Sequence, residues 1–159
     1  MGSMTYFVIK LIHITSSTIL LWTAVGSAFF MILAGRLRDV DLIHQTARFV
    51  VIADRVVIAP ALLLQLGTGC TLVYLAGFQL MDFWLVSALG LLIVAGACWI
   101  PVMQTHTAMR NMSAEADKAE HPLPDDYQRL DQRWMMFGTV ALAAIGLIFY
   151  LMVFKPHGL

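Results

Sequence analysis

The sequence predicts an all-α protein, a four-transmembrane-helix up-down bundle, and three observations carry that reading. The 159 residues are 60% hydrophobic and only 13% charged, with a mean hydropathy of +0.79, whereas soluble domains are nearer half apolar and a quarter charged. A chain of this size cannot hide so much apolar surface in a core, so the bilayer is its natural solvent. Four apolar runs also reach the roughly 20 residues that cross a hydrocarbon core. Backbone groups in lipid must be satisfied within their own segment, which makes these runs helices rather than open strands.

The first helix is expected over about residues 5–34. Its apolar stretch from Leu11 to Ala34 is about twice the usual core of a signal peptide, and no clean small-residue cleavage site closes it, so it reads as a retained span. Asp41 is a good N-cap for the second helix, expected over about 42–75, and Pro60 inside it invites a kink. The third helix is expected over 82–105, with a polar extension towards Ala119. The fourth follows the "HPLP" turn, over 125–154, and stops before Lys155-Pro156. The whole chain, 1–159, reads as one integral membrane domain without repeats.

Seven Lys and Arg residues flank the first and third connections (Arg36, Arg38, Arg48, Arg110, Lys118, Arg129 and Arg133), against Lys10 and Lys155 at the opposite side. The positive-inside rule then puts both long connections in the cytoplasm and both termini outside, for a multi-pass protein. Ten basic and ten acidic residues cancel, so no basic field points to nucleic acid. Cys70 and Cys98, both inside apolar runs, suit neither a disulfide framework nor a zinc site and read as small buried hydrophobes.

Polar groups inside a span are functional-site candidates by default. His13, in "KLIHITSST", lies about two turns into the first helix, on a stripe with Ser16, Ser17, Thr23 and Ser27. Such a stripe admits either a neighbouring helix or a flat ligand close to the backbone. Lys10 and Lys155 flank the same boundary, as snorkelling anchors or as partners for an anionic group. Asp54 and Arg55 are adjacent, hence about 100° apart on a helix, and each is expected to meet a partner on another helix. Gln65 and Thr68 near mid-membrane read as interhelical glue or as pocket lining. His106, followed by Arg110, lies near the leaflet opposite His13, so the two cannot share one haem. His44, His121 and His157 read as surface residues, and the ten methionines form no repeated thioether ladder.

Several stretches together resemble a bacterial integral-membrane family described only as a domain of unknown function. They are "KLIHITSST" with "GSAFF", "VVIADR" with "AP" and "QLGTG", "GACWIPV" followed by "MR", "PLPDDY" and "LMVFKP". Through its "K-x-x-H-I" opening and its Lys-Pro ending, that family is similar, at a distance, to the haem-containing membrane protoporphyrinogen oxidase; it is also distantly similar to the copper-resistance CopD-type membrane domain, and the resemblance implies a place in the bacterial inner membrane with the termini in the periplasm. The resemblance implies haem b, with His13 as axial ligand to the iron, Ser16 or Ser17 supporting its ring, and Lys155 and Lys10 near the propionates. His106 is implied as a second iron ligand on a separate group. The expected function is electron transfer or oxidation of a lipid-soluble substrate, with a quinone or porphyrin-like ligand as partner. The alternative is a non-catalytic accessory or transport-related protein, handling copper, forming a homo-oligomer or serving a partner membrane complex.

Overall fold

The structure, a computed structural model, describes residues 2–156. Helix α1 spans Gly2–Leu37, and a short turn leads into α2, Val40–Ala53. A single wide turn of π-helix, Asp54–Ile58, joins α2 to α3, Ala59–Ala76. Helices α4, Phe83–Ala119, and α5, Asp126–Phe154, complete the chain, and among the described residues there is no strand. Counting α2 to α3 as one rod, four helices are long and apolar enough to cross a membrane.

The second rod starts two residues earlier than expected, at Val40. Asp39, not Asp41, is the N-cap, and its side chain accepts from the Leu42 amide. Asp41 falls in the first turn, where a carboxylate still complements the helix dipole. Arg38, just before the cap, takes a left-handed conformation (φ 56°) to reverse the chain.

Pro60 explains the π turn. A proline inside a helix has no N–H to donate, and its ring collides with the carbonyl four residues back. The wide turn immediately ahead of it absorbs that conflict, with the Ala59 amide reaching back to the Asp54 carbonyl. The expected kink is thus a one-residue widening, and Asp54 opens it.

The polar extension of the third span is not a separate element. Helix α4 runs unbroken for 37 residues to Ala119, about 55 Å at 1.5 Å per residue. That is well beyond a roughly 30 Å hydrocarbon core. Its far end therefore stands clear of the membrane with the start of α5.

Packing is uneven along the bundle. The main apolar cluster gathers Met31 and Ala34 of α1, Ile43, Ala47 and Val50 of α2, Val102 and Met109 of α4, and Tyr127 and Trp134 of α5. All of it belongs to the half near the charged connections. In that half α2 packs on α4, and α4 on α5. Towards the termini α3 lies on α1, and among the described residues it does not pack against α4 to a comparable extent. Helix α1 touches α5 only lightly. The bundle is closed at one end and split into two helix pairs at the other.

Candidate functional site: two anchored histidines

Two histidines from different helices are tied to the second rod at different heights. His13 of α1 meets the middle of α3. Its Nδ1 lies 2.8 Å from Thr68 Oγ1, and its Nε2 lies 2.9 Å from Gln65 Nε2. Thr68 spends its own hydroxyl proton on the Leu64 carbonyl at 2.6 Å, so it accepts from His13 Nδ1–H. The Gln65 amide then donates to the bare Nε2, and its oxygen accepts from Ser16 Oγ at 2.7 Å. These bond directions are those of a neutral imidazole protonated on Nδ1.

Gly69 is part of this arrangement. A Cβ added there would stand 3.3 Å from His13 Cε1 and 3.9 Å from Nδ1. The imidazole edge lies against bare helix backbone. Gln65, Thr68 and Gly69 sit at i, i+3 and i+4, one face of α3, answering His13 and Ser16 on α1.

The other hydroxyls of the stripe do not join this site. Ser17 and Thr18 both donate back to the Ile14 carbonyl at 2.8 Å, as hydroxyls in helices commonly do. Ser16 is buried and Ser17 is not, so of the two serines only Ser16 reaches the histidine's network. Further along, Thr23 and Ser27 line a cavity of about 400 Å³ between α1 and α2, with Thr46 across from them and Trp22, Phe30 and Phe49 around it.

Neither lysine approaches His13. Lys155 caps α5 in a left-handed conformation, its Nζ 4.4 Å from the centre of the Phe78 ring and 5.2 Å from that of Trp84. Lys10 lies over Tyr6 at 5.8 Å. Both cations rest on aromatic faces at the termini end, a contact worth roughly 0.5–1 kcal/mol when exposed.

The second histidine is more deeply enclosed. His106 Nδ1 lies 2.7 Å from Asp54 Oδ2, with both side chains almost inaccessible at 4% and 2% exposure. Asp54 thus has its partner on another helix, while Arg55 points outward. Trp134 of α5 flanks the imidazole with ring centres 5.9 Å apart. His106 Nε2 is buried and has no hydrogen-bond partner. Asp54 and Thr68 are 14 residues apart on the second rod, so the two histidines are separated by roughly 20 Å along the bundle.

Sequence reasoning named His13, Ser16 and His106 and treated Gln65, Thr68 and Asp54 as polar groups with open partners. It missed Gly69 and Trp99, whose indole Nε1 is also buried without a partner. The repeated i, i+3 spacing in "HITS" and "QLGT" was the available signal for the first site. Nothing local marks Trp99. His44 was expected in water, but its Nδ1 is buried and unpartnered, whereas His121 is exposed as expected; His157 lies outside the described residues. Cys70 is not buried but faces outward, and Cys98 is half-buried, both as free thiols. Among the described residues no three His, Cys, Asp or Glu side chains converge as a metal-binding group.

No curated protein and no solved structure matches the chain. A family model described as "Predicted integral membrane protein (DUF2269)" matches residues 7–156, nearly the whole chain. Four apolar helices with polar residues tying them together, and a match of that length, place the chain in one family: it belongs to the predicted integral membrane proteins of DUF2269.

Proposed function

We propose that the protein is an inner-membrane redox protein that holds haem b, or a related flat redox ligand, at His13, with its termini on the outer side of the membrane. The observation that supports this is the anchoring of His13 through Nδ1 to Thr68. Histidines that bind metals almost always fix the opposite nitrogen by a hydrogen bond, which sets the tautomer and aims the free lone pair. That lone pair is on Nε2, and among the described residues it takes the Gln65 amide, which must turn away and release Ser16 before iron can bind there. The donor set therefore fits one axial bond to iron. Ser16 keeps its place behind the ring through the His13 carbonyl, at 3.0 Å. Bare backbone at Gly69 leaves the ring edge room to settle.

Haem, when bound, would supply a one-electron couple tuned by its axial ligand and its surroundings. The chain's own part is to hold the imidazole neutral, exclude water and present an apolar wall. Lys155 and Lys10 reach propionates only by leaving their aromatic rings, so their part is the weaker one. His106 presents the same arrangement one level down, with Asp54 in the place of Thr68.

The test is an absorption spectrum of the membrane-extracted protein, oxidised and reduced, with haem titrations of wild type, His13→Ala and Gln65→Ala. A Soret band that His13→Ala loses and Gln65→Ala keeps is the expected result. Identical titrations of wild type and His13→Ala sink the reading.

One observation favours the alternative, a non-catalytic accessory or copper-related protein. The chain of bonds from Ser16 through Gln65 and His13 to Thr68 ends on the Leu64 carbonyl and ties α1 to α3, as helix glue would. Metal analysis of purified protein and copper uptake in a deletion strain distinguish the two.

A further inference from the structure

Any ligand that takes the Nε2 lone pair of His13 displaces the Gln65 amide, whose nitrogen lies 2.9 Å away. The amide is not loose. Its oxygen accepts from Ser16 Oγ at 2.7 Å, so α1 grips it at both ends. Ser16 is buried, whereas His13 and Gln65 are half-buried and keep an open side.

Ser16 has a second acceptor ready. Its hydroxyl also lies 3.0 Å from the His13 carbonyl, on its own helix. When Gln65 leaves, the Ser16 proton turns wholly to that carbonyl, a bond that serines within helices commonly make. The buried hydroxyl is not orphaned, which keeps the cost of displacement low. The far side of the ring is untouched. Thr68 stays 2.8 Å from Nδ1 and keeps its own bond to the Leu64 carbonyl at 2.6 Å.

The exchange changes how α1 is held to α3. Three bonds of this network cross between the two helices: Ser16 to Gln65, Gln65 to His13, and His13 to Thr68. With a ligand on Nε2, only the last of the three remains. Among the described residues α3 does not pack on α4 to an extent comparable with its packing on α1. A weakened α1–α3 contact is therefore not made good by the other helix pair. Ligand binding and helix pairing are linked, and linkage is reciprocal: whatever loosens Gln65 favours the ligand, and the ligand loosens α1 from α3.

We propose that Gln65, gripped by Ser16, is a gate over the Nε2 lone pair of His13, and that a Lewis acid entering there exchanges two α1–α3 hydrogen bonds for its own bond to the ring. Haem iron as that Lewis acid rests on the reading of His13 given above; the gate itself does not.

The experiment uses the full-length protein in lipid nanodiscs, first haem-free. Diethyl pyrocarbonate, which adds an ethoxycarbonyl group to an imidazole nitrogen with a free lone pair, is the probe. Its rate at His13 is read by peptide mass against that at exposed His121. Gln65→Ala is expected to raise the rate roughly fivefold or more, because two interhelical bonds of average strength no longer hold the gate shut. Ser16→Ala keeps the amide and removes only its grip, so it should raise the rate by less. In equilibrium unfolding Gln65→Ala should be less stable than wild type, yet in haem titration it should bind more tightly. Opposite signs distinguish a gate from a support. Thr68→Val, which removes the anchor of the ring, should lower stability and affinity together. Nitrogen shifts of the His13 ring should place its proton on Nδ1. Should Gln65→Ala not fold, Ser16→Ala carries the same comparison. Unchanged pyrocarbonate rates in these variants, affinity and stability falling together in Gln65→Ala, or a proton on Nε2 would overturn the gate. Identical haem titrations of wild type and His13→Ala sink the haem reading instead, and the pyrocarbonate rates then decide the gate alone.

Discussion

Gly69→Ala places the contact between α1 and α3 under direct test. Replacing an interior helical glycine by alanine ordinarily favours the helix, by about 0.8–1 kcal/mol. Gly67, one residue before Thr68, has nothing within 4 Å of an added Cβ, so Gly67→Ala collects that gain unopposed. At Gly69 the new methyl stands 3.3 Å from His13 Cε1, closer than an ordinary van der Waals contact. The ring must yield by a few tenths of an ångström, and it is held at both nitrogens by bonds of 2.8 and 2.9 Å. Interhelical hydrogen bonds in membranes are worth about 0.6 kcal/mol on average and up to about 1.7. Straining two of them offsets the propensity gain, so Gly69→Ala is expected to fall about 1 kcal/mol below Gly67→Ala. In the ratio of folded to unfolded protein, that difference is roughly fivefold. Equilibrium unfolding in bicelles, repeated in a His13→Ala background, measures it. The difference should vanish once the imidazole is gone. If Gly67→Ala and Gly69→Ala are equally stable with His13 present, the close approach of ring and backbone is not real.

Three further outcomes follow from the geometry. Asp54→Ala leaves His106 Nδ1 buried without its acceptor and is expected to destabilise by about 1–3 kcal/mol. Asp54→Asn keeps an acceptor oxygen at the same place and should cost far less in the same unfolding assay. Lys155→Met removes the cation from the Phe78 and Trp84 faces; a loss of about 0.5–1 kcal/mol and a changed Trp84 fluorescence are expected. Haem content unaffected by that substitution would assign Lys155 to the aromatic pair alone. Arg38→Gly relieves a left-handed non-glycine residue in the α1–α2 turn and should stabilise by about 1 kcal/mol, read as a rise in the thermal midpoint.

The sequence by itself determined the class and the count of spans, because apolar runs of sufficient length have only one way to satisfy their backbones in lipid. It also marked His13 and Asp54, since an ionisable group inside such a run is conspicuous against leucine and valine. Pro60 announced an irregularity in the second span, for it removes a donor whatever surrounds it. What periodicity could not supply was the meeting of rows from different helices. Gln65 finds His13 across 52 residues, and Asp54 finds His106 across another 52. Those pairings depend on how the rods rotate and cross, and at Asp54 on a π turn that re-aims one side chain. Gly69 was invisible for a related reason: an absent side chain signals nothing until a neighbour leans on it. The lysines were legible only as boundary residues. Which surface each would rest on was fixed by the left-handed cap at Lys155 and the nearby rings of Phe78 and Trp84. The buried, unpaired nitrogens of Trp99 and His106 belong wholly to the tertiary structure, because burial is a property of what packs around an atom.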